Sequence, residues 1–310
     1  MEIKLTGLAI HLGEEKKHFS DVESFEDKMT EYGLTISAPF WGWGSFHVSE
    51  KSSYEMAKAA ISECLNNAAF SPEEIDVVMY CSAGTGEEYG LVNQKMGAVL
   101  HEMGLVNAQL FGQSFLGCVS VFSAIHMAKQ MIESEACNNI MIVTADKIDN
   151  GANRFREFGI YSDSASAFVL SSKSENGFRV INTAFGSNYQ LMSGNMESKD
   201  DHFKHLNSIH EKAYDGLSFD TKSPEKVFIT NLYKPLLQIN MVRLGYSKEQ
   251  TYYENIEEVG HCFATDPFVN LQHYRESEAN NDGTFVLAAM ATGHAGFCII
   301  EGEEESELII

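Results

Sequence analysis

The segment GQSFLGCVSVFSAIHMAKQMI, residues 112–132, places Cys118 between a glycine-containing turn and an apolar run with helical spacing. A cysteine in the first turn of a helix lies beside unpaired backbone N–H groups at the positive end of the helix dipole, and both favour the thiolate. Its own N–H can also point at an oxyanion formed beside it. The position suits a nucleophile for acyl chemistry. Most free cysteines are small core residues, however, so the position alone leaves both interpretations open.

The other five cysteines occupy less informative contexts. Cys262 follows His261 directly, but in an extended segment its side chain points to the opposite side. The sequence contains no CxxC spacing and no paired framework, so we expect reduced thiols in a cytoplasmic protein. We expect structural roles for the remaining four, which are Cys64, Cys81, Cys137 and Cys298.

The polar stretch from Asn188 to Lys222 is the least regular part of the chain and a candidate cover for a site. It contains His202, His205 and His210. Their spacing fits no tight ligand set and no cysteine joins them, so we predict no metal site.

Composition limits the kinds of partner. The chain has 310 residues, 44% of them hydrophobic, which suffices for one large domain or two intimate halves. The net charge of −22 disfavours nucleic acid, because phosphate contacts need clustered Lys and Arg. No segment reaches the roughly 20 apolar residues of a membrane helix, and the first residues lack the features of a signal peptide. We therefore expect neither a nucleic-acid nor a membrane partner.

The elements that must position Cys118 alternate between strands and helices. Short apolar runs predict strands at IKLTGLAI, IDVVMYCS, IMIVTAD, SAFVLSS, KVFITN, TFVLAAMA and GFCIIEG. Helical periodicity follows in residues 53–69, after Cys118 and in residues 235–244, and a capping box at Ser71 predicts a short turn. The alternation indicates an α/β protein. The pattern is also doubled, with a division near residue 172.

The segment FLGCVSVFSAIHMA resembles the nucleophile segment of the thiolase superfamily, specifically its β-ketoacyl carrier-protein synthase III branch. In that branch a cysteine after small residues opens a buried central helix. Further segments resemble the family in the same order along the chain: IDVVMYCSAGTGE, NIMIVTADKI, GIYSDSASAFVL and ATGHAGFCIIEG. In the third of these, Ser162, Ser164 and Ser166 replace glycines of the family pattern.

This resemblance implies a five-layer αβαβα fold with two pseudo-repeated halves, here residues 1–172 with the nucleophile and residues 173–310 with the base. It implies a homodimer and covalent acyl transfer, in which an acyl group from a CoA or carrier-protein thioester attaches to the cysteine. No bound cofactor is expected, because the phosphopantetheinyl or CoA thioester is itself the substrate.

Two catalytic positions depart from the condensing members of that branch. Where the family has the histidine of a PHQAN-like turn, this chain reads VFITNLYKPLLQINMVRLG, with Thr230 or Asn231 at the histidine position. Where the family has the asparagine of an HGNTSA-like segment, this chain reads VGHCFATD, with His261 in its place. The histidine and asparagine together stabilise the enolate of decarboxylative condensation, so their loss argues against condensation here.

The resemblance leads to a different catalytic set. Acyl transfer to an O–H, N–H or S–H group needs a nucleophile, a base and a group that orients the base, and Cys118, His261 and Asp266 can supply these. This spacing resembles the starter-unit and ester-forming acyltransferases of the family. His261 has the alternative of a core hydrogen bond, and Asp266 that of capping the helix at DPFVNLQHY.

Further positions follow from the family segments. Asn231 and His294 are accessory candidates, and the oxyanion hole would combine the Cys118 N–H with one near Gly293. The substrate entry of the family is lined by a tryptophan and arginines. The nearest matches by segment are Trp41, Trp43, Arg154, Arg156 and Lys234. The arginines have the alternative of a solvated loop.

Three functions remain open at this stage. The first is an acyltransferase of polyketide, nonribosomal-type or other secondary metabolism, acting through a cysteine acyl-enzyme. The second is a condensing synthase with a rearranged base, and the third is a non-catalytic partner subunit of a biosynthetic complex. The charge of −22 repels both CoA and acidic carrier proteins, so any thioester function requires a locally basic entrance.

Overall fold

A computed structural model of the chain describes residues 1–35, 37–84, 91–192, 208–209, 213, 223–278 and 282–302. The histidines considered as metal ligands, His202, His205 and His210, lie outside the described residues. None of the helices in the described ranges combines the length and apolar composition that crossing a membrane requires.

The described residues contain eleven strands. Their bounds are β1 Lys4–Leu12, β2 Glu15–His18, β3 Ser45–Val48, β4 Val77–Cys81, β5 Gln109–Gln113, β6 Asn139–Asp146, β7 Ser164–Ser171, β8 Phe178–Ser187, β9 Lys226–Phe228, β10 Gly283–Ala291 and β11 His294–Gly302. The α-helices are α1 Phe25–Glu31, α2 Ala38–Trp41, α3 Ser53–Ala68, α4 Leu91–Glu102, α5 Ser120–Glu133, α6 Tyr189–Met192, α7 Lys234–Leu244, α8 Ile256–Val259 and α9 Asp266–Glu278.

Nine strands form one mixed sheet in the order β5-β4-β6-β7-β1-β8-β11-β10-β9, and β2 and β3 form a separate two-stranded sheet. From the centre outward, the first half runs β1, β7, β6, β4, and the second runs β8, β11, β10, β9. In each half, the first strand along the chain lies at the centre of the sheet. The last strand of that half lies next to it, and the next-to-last strand follows outward. Between β1 and β8 only Lys4↔Arg179 and Leu5↔Phe178 are paired. We propose that the halves divide near residue 172.

Side-chain alternation along the strands shows how the layers stack. In β4, Val77 and Met79 pack into a central cluster with α5 and α9, whereas Val78 and Tyr80 pack outward against α3 and α4. Phe285 of β10 reaches the same central cluster from the second half. Two helical layers therefore cover the outside, and α5 and α9 lie between the two parts of the sheet. This is the αβαβα arrangement, and the predicted fold class is confirmed.

The local signals in the sequence place several elements correctly. At the start of α3, Ser52 and Glu55 form a reciprocal capping box. Helix α7 ends at Gly245, whose φ of 82° is a left-handed conformation that suits glycine. Strands β2, β3, β5 and β8 are not among the strands predicted from the sequence. The β5 segment QLFGQ has little strand propensity and becomes a strand through pairing with β4.

A buried ion pair joins the two-stranded β2–β3 sheet to the main sheet. Arg154 is 4% exposed, and its guanidinium donates to both carboxylate oxygens of Asp163 at 2.9 and 2.8 Å. The same carboxylate accepts from the N–H of Ser49 and of Ile148. The prediction that Arg154 lines the substrate entry is therefore wrong, because its charge is already paired in the interior. Breaking such a buried pair would leave an uncompensated charge.

Candidate active site

Cys118 lies in a 3-10 helix, Gly117–Val119, that runs directly into the buried central helix α5. Gly117 has a φ of 54°, which lets the chain turn sharply before the helix. The cysteine is 8% exposed and lines a cavity of 610 Å³. Its thiol therefore stands at the N-terminal end of a helical segment and opens onto a space that can hold a substrate.

His261 reaches Cys118 from the second half of the chain. Its Nε2 lies 3.6 Å from the Cys118 sulfur, as the sequence predicted. The backbone of His261 is fixed on both sides, since its N–H donates to Ile160 O at 2.8 Å and its carbonyl accepts from the Ser162 N–H at 2.9 Å. Gly260 precedes it with a φ of 62°, where a Cβ would lie 2.6 Å from Ile160 O. The turn thus requires glycine.

Asp266 makes the contact with His261 that the catalytic alternative requires. It is the first residue of α9, and its carboxylate accepts from the backbone N–H of Cys262 at 2.6 Å and of Asn231 at 2.8 Å. Oδ2, the atom that accepts from Asn231, is also hydrogen-bonded to His261 Nδ1. A short 3-10 turn, Phe263–Thr265, folds the chain back so that this contact forms. Because Asp266 accepts from Nδ1–H, Nε2 is left to face the thiol. The predicted contacts are present, and the catalytic roles remain predictions.

The charges around His261 favour its protonated form. Burial by itself lowers the pKa of His261, but the negative charges of Asp266 and Cys118 outweigh it, and the pKa is raised above its usual value. An imidazolium beside a thiol in turn favours the thiolate. The geometry can therefore supply a thiolate nucleophile with a proton donor in contact.

Gly293 lies across the cavity from the nucleophile, in the tight turn between β10 and β11. Its φ is 79°, and a Cβ there would approach Met192 Cγ to 2.6 Å and Asn188 O to 3.0 Å. A larger residue would push this turn out of place. The predicted oxyanion position near Gly293 thus borders the same cavity as Cys118, and its role stays a prediction.

The two accessory candidates do not line this cavity. The side chain of Asn231 is turned to the protein: its Nδ2 donates to Gly260 O at 2.9 Å, and its Oδ1 accepts from Asn270 at 2.9 Å. His294 Nδ1 is 2.8 Å from Ser187 Oγ, and burial lowers the pKa of its imidazole. Asn231 therefore supports the His261 segment, and the accessory roles of Asn231 and His294 stay predictions.

The residues predicted to line the substrate entry lie in different environments. Arg156 lines the cavity. Trp41 donates its indole N–H to Thr35 O at 3.0 Å and stacks on Trp43, which is buried. Lys234 is ion-paired with Glu257. Of the five candidates, Arg156 is the one that the structure brings to the cavity.

An aromatic wall around His261 was not foreseen from the sequence. Tyr161 and Phe263 stack with centroids 4.4 Å apart and planes 3° apart, and both rings lie beside the imidazole, at 5.1 and 5.4 Å. Phe158 adds an edge contact at 6.1 Å. A signal was available for Tyr161, because it stands in the GIYSDSASAFVL segment that resembles the family.

The carboxyl group of Asp146 belongs to the cavity wall, at the end of β6. Its Oδ1 accepts from the Ser82 hydroxyl and the Ala83 N–H, each at 2.8 Å, and it thereby holds the end of β4. Burial raises the pKa of Asp146 to about 6. Ionisation of Asp146 is therefore less favourable in the folded protein than in the unfolded chain.

Replacement of Asp146 by Asn should change the pH dependence of stability. Between pH 4 and 6 the folded protein keeps the Asp146 proton while the unfolded chain loses it, so wild-type stability falls as pH rises through this window. Asn keeps the acceptor for Ser82 and does not ionise. The free energy of unfolding of Asp146→Asn should gain about 2 kcal/mol relative to wild type from pH 4 to pH 7. Urea titrations at both pH values measure this, and an unchanged difference contradicts it.

Alkylation should distinguish Cys118 from the other thiols. Burial raises the pKa of every other cysteine, namely Cys64, Cys81, Cys137, Cys262 and Cys298. At pH 7 iodoacetamide should label the folded protein at Cys118 roughly tenfold faster than at any of these. Peptide mapping after timed quenching measures the order. The variant Cys118→Ala should lose the fast phase and the matched control Cys262→Ala should keep it, and a first adduct on another cysteine would show that the helix-start argument fails.

Comparisons with known proteins agree with this architecture. Residues 115–189 match the family described as 3-oxoacyl-[acyl-carrier-protein (ACP)] synthase III. No curated protein sequence matches the chain significantly. Among solved structures, ChlB3, described as an acyltransferase, is similar with a TM-score of 0.78 at 15% identity, covering 97% of this chain and 98% of that one.

Two further structures extend the comparison. The 3-oxoacyl-[acyl-carrier-protein] synthase III of Aquifex aeolicus VF5 is similar with a TM-score of 0.76 at 17% identity over 96% of this chain and 99% of that one. OleA of Xanthomonas campestris with bound cerulenin is similar with a TM-score of 0.78 at 12% identity over 97% of both chains. Together these likenesses show that the chain shares the fold of these structures, and the family match covers residues 115–189.

Proposed function

We propose that this protein is an acyltransferase that moves an acyl group from a CoA or carrier-protein thioester, through Cys118, to an O, N or S acceptor. The observation that carries the proposal is the chain of contacts from Cys118 through His261 to Asp266 at the wall of one cavity. A nucleophile, a base and an orienting carboxylate are what such a transfer needs.

In the first half-reaction, the Cys118 thiolate attacks the thioester carbonyl, and the oxyanion is stabilised by backbone N–H groups of Cys118 and the Gly293 turn. The carbon–sulfur bond of the donor breaks, and the imidazolium of His261 gives its proton to the departing thiolate. In the second half-reaction, His261 takes the proton of the acceptor while the acceptor atom bonds to the acyl carbon. The Cys118 thiolate leaves. Asp266 keeps the imidazole in one orientation throughout.

Condensation is the second candidate, and the likeness to the synthase III structure favours it. The surroundings of Thr230 argue against it. Its hydroxyl is buried and accepts from the Met290 N–H at 3.0 Å, and Asn231 beside it is turned to Gly260. At the place of the family histidine, this chain therefore presents no group that could stabilise an enolate. A non-catalytic subunit is the third candidate, and the ordered thiol–imidazole–carboxylate contacts argue against it.

The remaining features of the proposal concern partners and setting. We propose a homodimer, supported by the edge position of β5 and by Phe115 just after it, which is 94% exposed. Arg156 supplies positive charge at the cavity for the phosphates of an anionic donor. The unpaired cysteines support a cytoplasmic setting. The resemblance to ester-forming members supports a place in secondary metabolism.

Intact-mass measurement with acyl-CoA and acyl-carrier thioesters tests the proposal directly. The protein should gain one acyl mass, and Cys118→Ala should gain none while keeping its melting temperature. With labelled malonyl thioester and an acyl primer, carbon dioxide should not appear at a catalytic rate. Rapid, Cys118-dependent formation of a carbon–carbon product would restore the condensing function, and absence of any acyl-enzyme across the panel would contradict both.

Variants of the base and its orienting group should differ in severity. His261→Ala should remove nearly all acyl transfer, because no other base contacts the thiol in the described part of the chain. Asp266→Asn should lower kcat/KM by roughly 10²–10⁴-fold and leave measurable activity, since the base remains while its orientation suffers. Steady-state rates with a donor that acylates Cys118 provide the comparison, and melting temperatures control for folding. Equal activity of Asp266→Asn and wild type would remove Asp266 from the mechanism.

A further inference from the structure

Tyr161 presents a hydroxyl group with no partner to the cavity that contains Cys118. The residue lines this cavity, and among the described residues no hydrogen bond to its hydroxyl is formed. Its backbone is held in place, because its N–H donates to Arg154 O at 2.8 Å and its carbonyl accepts from the Arg154 guanidinium at 3.3 Å. The phenol is thus fixed in position and its polar end is unused.

The ring of Tyr161 is fixed as firmly as its backbone. It lies almost parallel to Phe263, with planes 3° apart, and 5.1 Å from the imidazole of His261. Phe158 packs edge-on against the Tyr161 ring, with the ring centroids 5.9 Å apart. These neighbouring phenyl groups cannot form a strong hydrogen bond with a hydroxyl. A hydroxyl that opens onto the cavity can exchange a hydrogen bond to water for one to a bound ligand with a matching group.

The electrostatic surroundings keep the phenol neutral. Burial raises the pKa of Tyr161, and the negative charge of Cys118 raises it further. A neutral phenol can donate one hydrogen bond and accept others, so it suits a hydroxyl or amino group as well as a carbonyl.

The position of the ring points to the acceptor as the bound molecule. During transfer, the acceptor must lie between the acyl carbon on Cys118 and the Nε2 of His261 that faces it. Tyr161 lines the cavity and its ring lies 5.1 Å from that imidazole, so the residue borders the place that the acceptor must occupy. The donor carbonyl, by contrast, is directed to backbone N–H groups of the helix start and the Gly293 turn.

We propose that the Tyr161 hydroxyl binds the acceptor and selects small polar acceptors that carry a second hydrogen-bonding group beside the nucleophilic atom, such as amino alcohols. This inference rests on the proposed acyl transfer and names the class of acceptor. The nucleophilic atom gives its proton to His261 and bonds to the acyl carbon, and the carbon–sulfur bond to Cys118 breaks. Tyr161 donates a hydrogen bond and transfers no proton. Sites built to hydrogen-bond a substrate group strongly reject analogues that lack it.

The variant Tyr161→Phe removes the hydroxyl and keeps the ring that stacks on Phe263. Wild-type and variant full-length protein would be acylated with the acyl-CoA that gives the largest mass gain. Each acyl-enzyme would then be mixed with ethanolamine or with ethylamine, which lacks the hydroxyl, and product and remaining acyl-enzyme followed by mass spectrometry. Wild type should transfer to ethanolamine at least roughly tenfold faster than to ethylamine. The variant should lose this preference at an unchanged melting temperature, and its acylation rate should fall less than its rate of transfer to ethanolamine.

The outcomes separate this inference from the function on which it rests. A wild-type protein that forms no acyl-enzyme fails the proposed function before Tyr161 is tested at all, and the acceptor inference falls with it. Normal acylation with an equal preference in wild type and Tyr161→Phe, or with no transfer to either amine, overturns the acceptor inference alone. A variant that slows acylation as much as transfer would assign the hydroxyl to the donor and would equally overturn it.

Discussion

The carboxylate of Asp266 is the contact on which the candidate site depends. It accepts from the imidazole of His261, from the N–H of Cys262 and from the N–H of Asn231, and it begins α9. One buried group thus joins the strand end after β9, the turn that carries the base, and a central helix. A buried carboxylate with hydrogen bonds on both oxygens is satisfied in place, and it holds the imidazole in the orientation that faces the thiol.

The doubled architecture explains why the nucleophile and the base meet. Helix α5 of the first half and α9 of the second both lie between the two parts of the sheet. Cys118 precedes one of these helices and Asp266 begins the other, so the two helix starts lie near each other at one cavity. The pair in contact, Cys118 and His261, is 143 residues apart in the sequence. Long-range packing of the central layer therefore determines the distance between them.

Residues with the same charge occupy different environments in this fold. Arg154 is buried and bound to Asp163, whereas Arg156, two residues later, lines the cavity. The first supports the contact between the β2–β3 sheet and the main sheet, and the second borders the cavity. Asp146 and Asp266 differ in a similar way, because one carboxyl group holds a strand end and the other orients a histidine. Charge alone does not distinguish structural from functional members of such pairs.

The sequence by itself determined the alternation of strands and helices, the helix behind Cys118, and the approach of His261 and Asp266 to it. These follow from hydrophobic periodicity, from capping and turn signals, and from the resemblance of ordered segments to a known family. The tertiary structure alone decided the burial of Arg154, the turning of Asn231 toward Gly260, and the aromatic wall. Burial and pairing depend on which distant segments pack together, and local residue patterns do not contain that information.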